Sequence, residues 1–152
     1  MATAMEGMEA LDLLREQARL YARLEGRALR QRELIVSGRS GPLLALMAER
    51  DQLTRELQVI AERLRPVRED WASFRGQLTA DQRAEAEALI SGSAANARRV
   101  MERDAEDSRL LATQKKLVEA ARVQTRQAEK ALRAYRPEER DNAEPRRLDE
   151  AS

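Results

Sequence analysis

The chain has 152 residues, enough to bury a core, with 36% charged residues, 3% aromatics and a net charge of +1. So balanced a charge gives no global field toward nucleic acid or an anionic membrane, and no nucleic acid is expected as a partner. The absence of Cys and His removes disulfides, thiolate chemistry, the commonest zinc ligands and the usual neutral-pH general base.

The opening MATAMEGMEALDLL lacks a basic n-region and carries acids where an apolar h-region belongs, so no signal peptide is expected. No apolar run approaches the length of a membrane span, and a soluble, cytoplasmic protein with no membrane span is the expectation. A first helix is predicted from Met8 to Val36. On a helical wheel Leu11, Leu14, Leu20, Leu24, Ala28 and Ile35 belong to an apolar arc covering about half the circumference. An arc that broad packs against two neighbours, as in a bundle. The opposite face carries Arg15, Arg19, Arg23, Arg27 and Arg30. Because Asp12, Glu16 and Glu33 interrupt this row, it reads as a solvated, salt-bridged face.

Ser37-Gly38-Arg39-Ser40-Gly41-Pro42 is the clearest break, and a connection this short makes the flanking helices antiparallel neighbours. The second helical stretch, 43–78, organises the chain. One heptad seam collects Leu46, Leu53, Ile60, Val67 and Phe74; the other collects Leu43, Leu57, Leu64, Trp71 and Leu78, with Arg50 alone breaking it. Pro66 lacks an amide donor and clashes with the carbonyl of Glu62, yet the heptad phase passes through it. Either a kinked helix or two helices stacked end to end is expected.

Thr79 and Gln82 form a capping-box pattern for a third helix running to Tyr135 and closed by Pro137, with a bend or short break expected at Ser91-Gly92-Ser93. The small residues around Asn96 suit a close helix crossing or a hinge. One seam of this helix reads Ile90, Ala97, Asp104, Leu111, Val118, Thr125 and Leu132; its companion reads Val100, Asp107, Gln114, Ala121, Ala128 and Tyr135. Asp104 and Asp107 share a face, but no nucleophile, glycine-rich loop or ligand cluster accompanies them. They read as a hydrophilic break in the seam, paired with Arg103 or with a facing arginine such as Arg50. No enzymatic activity, cofactor or metal is expected.

The fold class expected is all-α: an elongated antiparallel three-helix bundle or coiled coil with a long C-terminal helix. One domain covers 1–135, and a charged, proline-containing tail, expected to be disordered, covers 136–152. Leu110, Leu111, Leu117, Val118, Val123 and Leu132 form a stripe too thin for a core. With Ala121 it is a candidate for docking a partner helix, or else for completing the bundle or a homodimer seam.

Leu20 followed by Leu24-Glu25-Gly26-Arg27-Ala28-Leu29, then the ladder Leu43, Leu46, Arg50, Leu53, Leu57, resembles the FlgN-type flagellar export chaperones over residues 11–135. The resemblance implies a cytoplasmic type III export chaperone, monomeric or weakly dimeric. Such a protein binds the C-terminal helices of hook–filament junction subunits through its own C-terminal helix and delivers them to the export apparatus. The partner-binding residues would be Leu110, Leu111, Leu117, Val118, Ala121 and Leu132. Asn96 is the only asparagine in the third helix, a departure from the family's habit. The alternative is a structural or export-apparatus stalk coiled coil related to FliJ, acting by helix–helix association and favouring a two-helix coil without the break at 37–42.

Overall fold

A computed structural model describes the backbone of residues 6–149 and the side chains of residues 6–135. It is all-helical among the described residues: α1 (Gly7–Ser37), α2 (Ser40–Arg63), α3 (Arg65–Glu69), α4 (Trp71–Gly76) and α5 (Ala80–Asp149). The chain divides into two compact units, residues 1–108 and 109–152.

The first helix follows its apolar arc, burying Leu11, Leu14, Leu20, Leu24, Ala28 and Ile35. It stops at Gly38, which takes the left-handed conformation at φ +70°. The Gly38 N–H donates to Ile35 O and the Arg39 N–H to Leu34 O, each at 3.1 Å, the paired bonds that satisfy the last carbonyls of a helix ending in glycine. The chain turns at once into α2, with Pro42 in its first turn, where the missing amide costs nothing.

The organising stretch breaks at Pro66 and keeps its phase. Pro66 has no N–H for the Glu62 carbonyl, so α2 ends at Arg63 and α3 restarts with the proline in its first turn. Arg68 N–H to Leu64 O, at 3.1 Å, resumes the four-residue bond spacing immediately. A second interruption, not anticipated, falls at Asp70, whose carboxylate accepts from the Ser73 N–H (3.2 Å) and caps α4. Leu46, Leu53, Ile60, Val67 and Phe74 are nevertheless all buried, as are Leu57, Leu64 and Leu78.

The capping box forms as expected: Thr79 N–H donates to Gln82 Oε1 (3.0 Å) and Gln82 N–H to Thr79 Oγ1 (3.3 Å). The break expected at Ser91-Gly92-Ser93 does not occur, and α5 is continuous through it. Ala86, Ser93 and Val100 are buried seven residues apart, so packing on both sides of Gly92 holds one face inward and outweighs its weak propensity. The buried seam of α5 is therefore the one containing Val100 and Asp107, while Ile90 is exposed. The helix also passes the closure expected at Pro137; the disorder expected for 136–152 lies outside the residues whose side chains are described.

Contacts in the first unit fix the topology. Arg15 meets Glu85, Glu25 meets Arg99 and Arg32 meets Glu106, so residue numbers on α1 and α5 rise together and the two helices are parallel. Arg27 meets Glu49 and Glu9 meets Arg63, so α2 runs the other way. The core lies between them: Leu11, Leu14, Leu20 and Leu24 of α1, Leu53, Leu57 and Ile60 of α2, then Leu64, Val67 and Phe74, with Ala86 and Val100 buried from α5 and Leu89 packed against it. No helix among the described residues is long and apolar enough to cross a membrane.

Candidate functional site

Arg50, the residue that interrupts the leucine seam of α2, sits in a polar layer near one end of the core. Its guanidinium donates twice to Asp104, at 2.9 and 2.7 Å, and once to Gln31 Oε1 on α1. Gln31 Nε2 donates to Asp107 Oδ2 (3.0 Å), and Arg32 Nε donates to Asp107 Oδ1 (2.9 Å). Asp107 is 1% exposed, so its charge is out of water, and both its oxygens are occupied. Three helices thus each supply a polar group at one level of an otherwise apolar seam.

This pairing gives Asp104 and Asp107 a structural role. Of the two arginines considered for Asp104, Arg50 makes the bond. Among the described residues, no cluster of three or more acidic side chains is placed to hold a metal ion. Four of the five arginines on that face of α1 are laced as expected: Arg15 to Asp12 and Glu85, Arg19 to Glu16, Arg27 to Glu49, Arg30 to Glu33. The two-point hydrogen bond from Arg15 holds the Glu85 carboxyl below its ordinary value of 4.5, against a smaller opposing effect of desolvation. Arg32 is raised by hydrogen bonds to Glu106 and Asp107, and Arg15 by its bond to Glu85.

In the second unit the residues singled out for partner binding lie on α5. Leu110 is half-buried; Leu111, Leu117, Val118, Ala121 and Leu132 are exposed, Leu117 at 65% and Leu132 at 63%. At about 100° per residue, Leu110, Leu111, Leu117, Val118, Ala121 and Leu132 share an arc of roughly 120°, whereas Val123 points to the opposite side and leaves the stripe. Thr125, Ala128 and Tyr135 fall within the same arc. Lys115, Arg122, Arg126 and Arg133 line the edge beside Leu111 and Val118, and residues 110–135 carry six cations to two anions. The other edge, with Thr113, Gln124, Gln127 and Ala131, is uncharged.

An exposed apolar stripe of this regularity has heptad spacing that satisfies nothing within the described side chains of its own unit. Sequence reasoning located it because leucine and valine recur at three and four residues. It missed Gln31 and Arg32 as members of the polar layer. The signal was present: Leu24, Ala28, Gln31 and Ile35 share the four-three-four spacing of a buried seam, with a polar residue in the third place. No family model matches the chain, and neither a curated protein nor a solved structure matches it.

Proposed function

We propose that the protein is a cytoplasmic helical chaperone of the FlgN type, which docks the C-terminal helices of hook–filament junction subunits on the stripe of α5 and delivers them to the flagellar export apparatus. The observation that carries the proposal is the exposed run Leu111, Leu117, Val118 and Leu132 on one arc of a helix, without an apolar partner among the described residues. A client helix laying its own apolar face there exchanges water for apolar surface, at about 25 cal/mol per Å². Ordering the client segment offsets much of that gain, so binding is reversible, as delivery requires. The basic edge suits a client whose flank is acidic.

The short break between α1 and α2 favours this role over the FliJ-like stalk coil, which needs no such turn. The stripe itself also fits a self-associating coiled coil. Titration with fluorescently labelled peptides from the C-terminal ends of junction subunits tests the choice. Saturable binding that survives high salt supports the chaperone. No binding, with a mass that rises with protein concentration in sedimentation, supports the structural coil.

A further inference from the structure

The helical break at Pro66 borders a cavity in the first unit. It measures about 220 Å³ and is half-open, lined by Leu64, Val67 and Trp71 from the broken stretch and by Ser93, Ala94 and Ala97 of α5. The small side chains of α5 leave the space open, and Trp71 is held against buried Phe74, ring centroids 5.2 Å apart. Close-packed interiors rarely leave so large a gap unfilled.

The charge on its lining has one sign. No acidic side chain borders the cavity, and the one charged residue that does is Arg68. Arg68 Nη2 donates to Ala61 O (2.9 Å), a carbonyl in the last turn of α2, which holds the guanidinium beside the break without neutralising it. The arginines flanking it in sequence are all paired with acids: Arg63 with Glu9, Arg65 with Glu62 and Arg75 with Glu87. Arg68 has no such carboxylate among the described residues. Together with Trp71 and Ile90 it also lines the shallower groove outside, where Glu87 is the acid already engaged by Arg75, so the free cation stands at the mouth.

We propose that this cavity binds a small amphipathic monocarboxylate, with its alkyl chain between the apolar walls and its carboxylate on Arg68. A guanidinium presents its donors in a planar fork that matches a carboxylate, and the single bond to Ala61 leaves donors free. An apolar cavity of about 150 Å³ accepts benzene, so about 220 Å³ accommodates a chain of roughly seven carbons. Because the charge stays at the mouth, the carboxylate remains near water and escapes most of the desolvation that excludes buried ions. A cationic head would meet Arg68 with like charge. The site is separate from the stripe on α5 and does not depend on the chaperone role.

Trp71 is the sole tryptophan and lines the cavity, so its emission reports occupancy. With octanoate as the probe, a saturable change in Trp71 emission, matched by calorimetry, is the expected result. Hexanoate, two methylenes shorter, binds about tenfold more weakly, and dodecanoate binds no more tightly than octanoate because the cavity is already full. Octylammonium binds at least about fivefold more weakly than octanoate. Arg68→Ala, at an exposed side chain, lowers the ratio of octanoate to octanol affinity about fivefold, since only the carboxylate loses its partner. Ala97→Leu fills the cavity and abolishes binding of both. Absence of saturation by both methods overturns the site, and so does unchanged octanoate affinity in a cooperatively folding Ala97→Leu. Affinity that keeps rising through dodecanoate marks adsorption to the surface and equally rules out the cavity. Octylammonium binding as tightly as octanoate overturns the ligand class. If Ala97→Leu does not fold, Arg68→Ala decides: an unchanged ratio of octanoate to octanol affinity contradicts the proposal.

Discussion

Arg50 and Asp104 join α2 to α5 by two hydrogen bonds, at 2.9 and 2.7 Å, with the arginine side chain only 15% exposed. Such a pair adds little net stability compared with well-packed apolar residues, because desolvation offsets the attraction, but it is costly to break from one side. It also ties one level of α2 to one level of α5, and through Gln31 to α1. A slip of one heptad between these helices would leave Arg50 facing apolar side chains. The layer therefore sets register in a bundle whose leucine ladder alone repeats every seven residues.

Removing one partner is expected to expose that asymmetry. Asp107→Ala leaves Arg32 and Gln31 without their shared acceptor and costs about 3 kcal/mol; Arg50→Ala costs somewhat less, about 2 kcal/mol, because Asp104 retains access to water. The double change Arg50→Leu with Asp104→Leu recovers most of the loss. Urea denaturation followed by circular dichroism checks the set, and a double variant less stable than Arg50→Ala would contradict it.

Gly38 is the one residue with positive φ among those described, and beyond its two chain neighbours nothing lies within 4 Å of where its Cβ would be. Gly38→Ala is thus a test of backbone conformation alone. It should destabilise by about 1–2 kcal/mol, with a lower melting temperature and an unchanged helical spectrum.

Glu85 gives a pH dependence with a definite sign. Its carboxyl is held below 4.5 when folded, so the contribution of its pair with Arg15 is fully present above 4.5 and is lost as pH falls through the lower folded value. Wild type should exceed Glu85→Gln in stability by a constant margin near neutral pH, and the margin should shrink below pH 4.5. Denaturation midpoints of the two proteins across the acid range report it; a margin that grows on acidification would reverse the assignment.

The stripe predicts a separation of stability from binding. Val118→Asp and Leu132→Asp replace exposed side chains, so each should change the unfolding free energy by less than about 0.5 kcal/mol. The same substitutions should weaken client binding strongly. Val123→Asp, on the opposite side of the helix, should do neither.

The all-helical bundle was readable because its seams are written in large apolar residues: Leu46, Leu53, Ile60, Val67 and Phe74 fix the inward face of the second stretch whatever the backbone does at Pro66. The turn at Gly38 and the cap at Thr79 were readable because each uses a residue that the local geometry demands. Continuity through Gly92 was not, since local propensity argues against it and the decisive contacts come from other helices. The buried face of α5 was obscured for a related reason. Its positions hold Ala86, Ser93 and Asp107, and neither a serine nor an aspartate announces burial until its partners are known.

The most direct test of client docking on α5 is a paired titration of wild type and Val118→Asp with a labelled C-terminal peptide of a junction subunit, with melting curves of both proteins alongside. Wild type is expected to saturate, and Val118→Asp to lose at least about tenfold in affinity while melting at the same temperature, as truncating a central apolar anchor does. Equal affinity for the two proteins would contradict docking on this face.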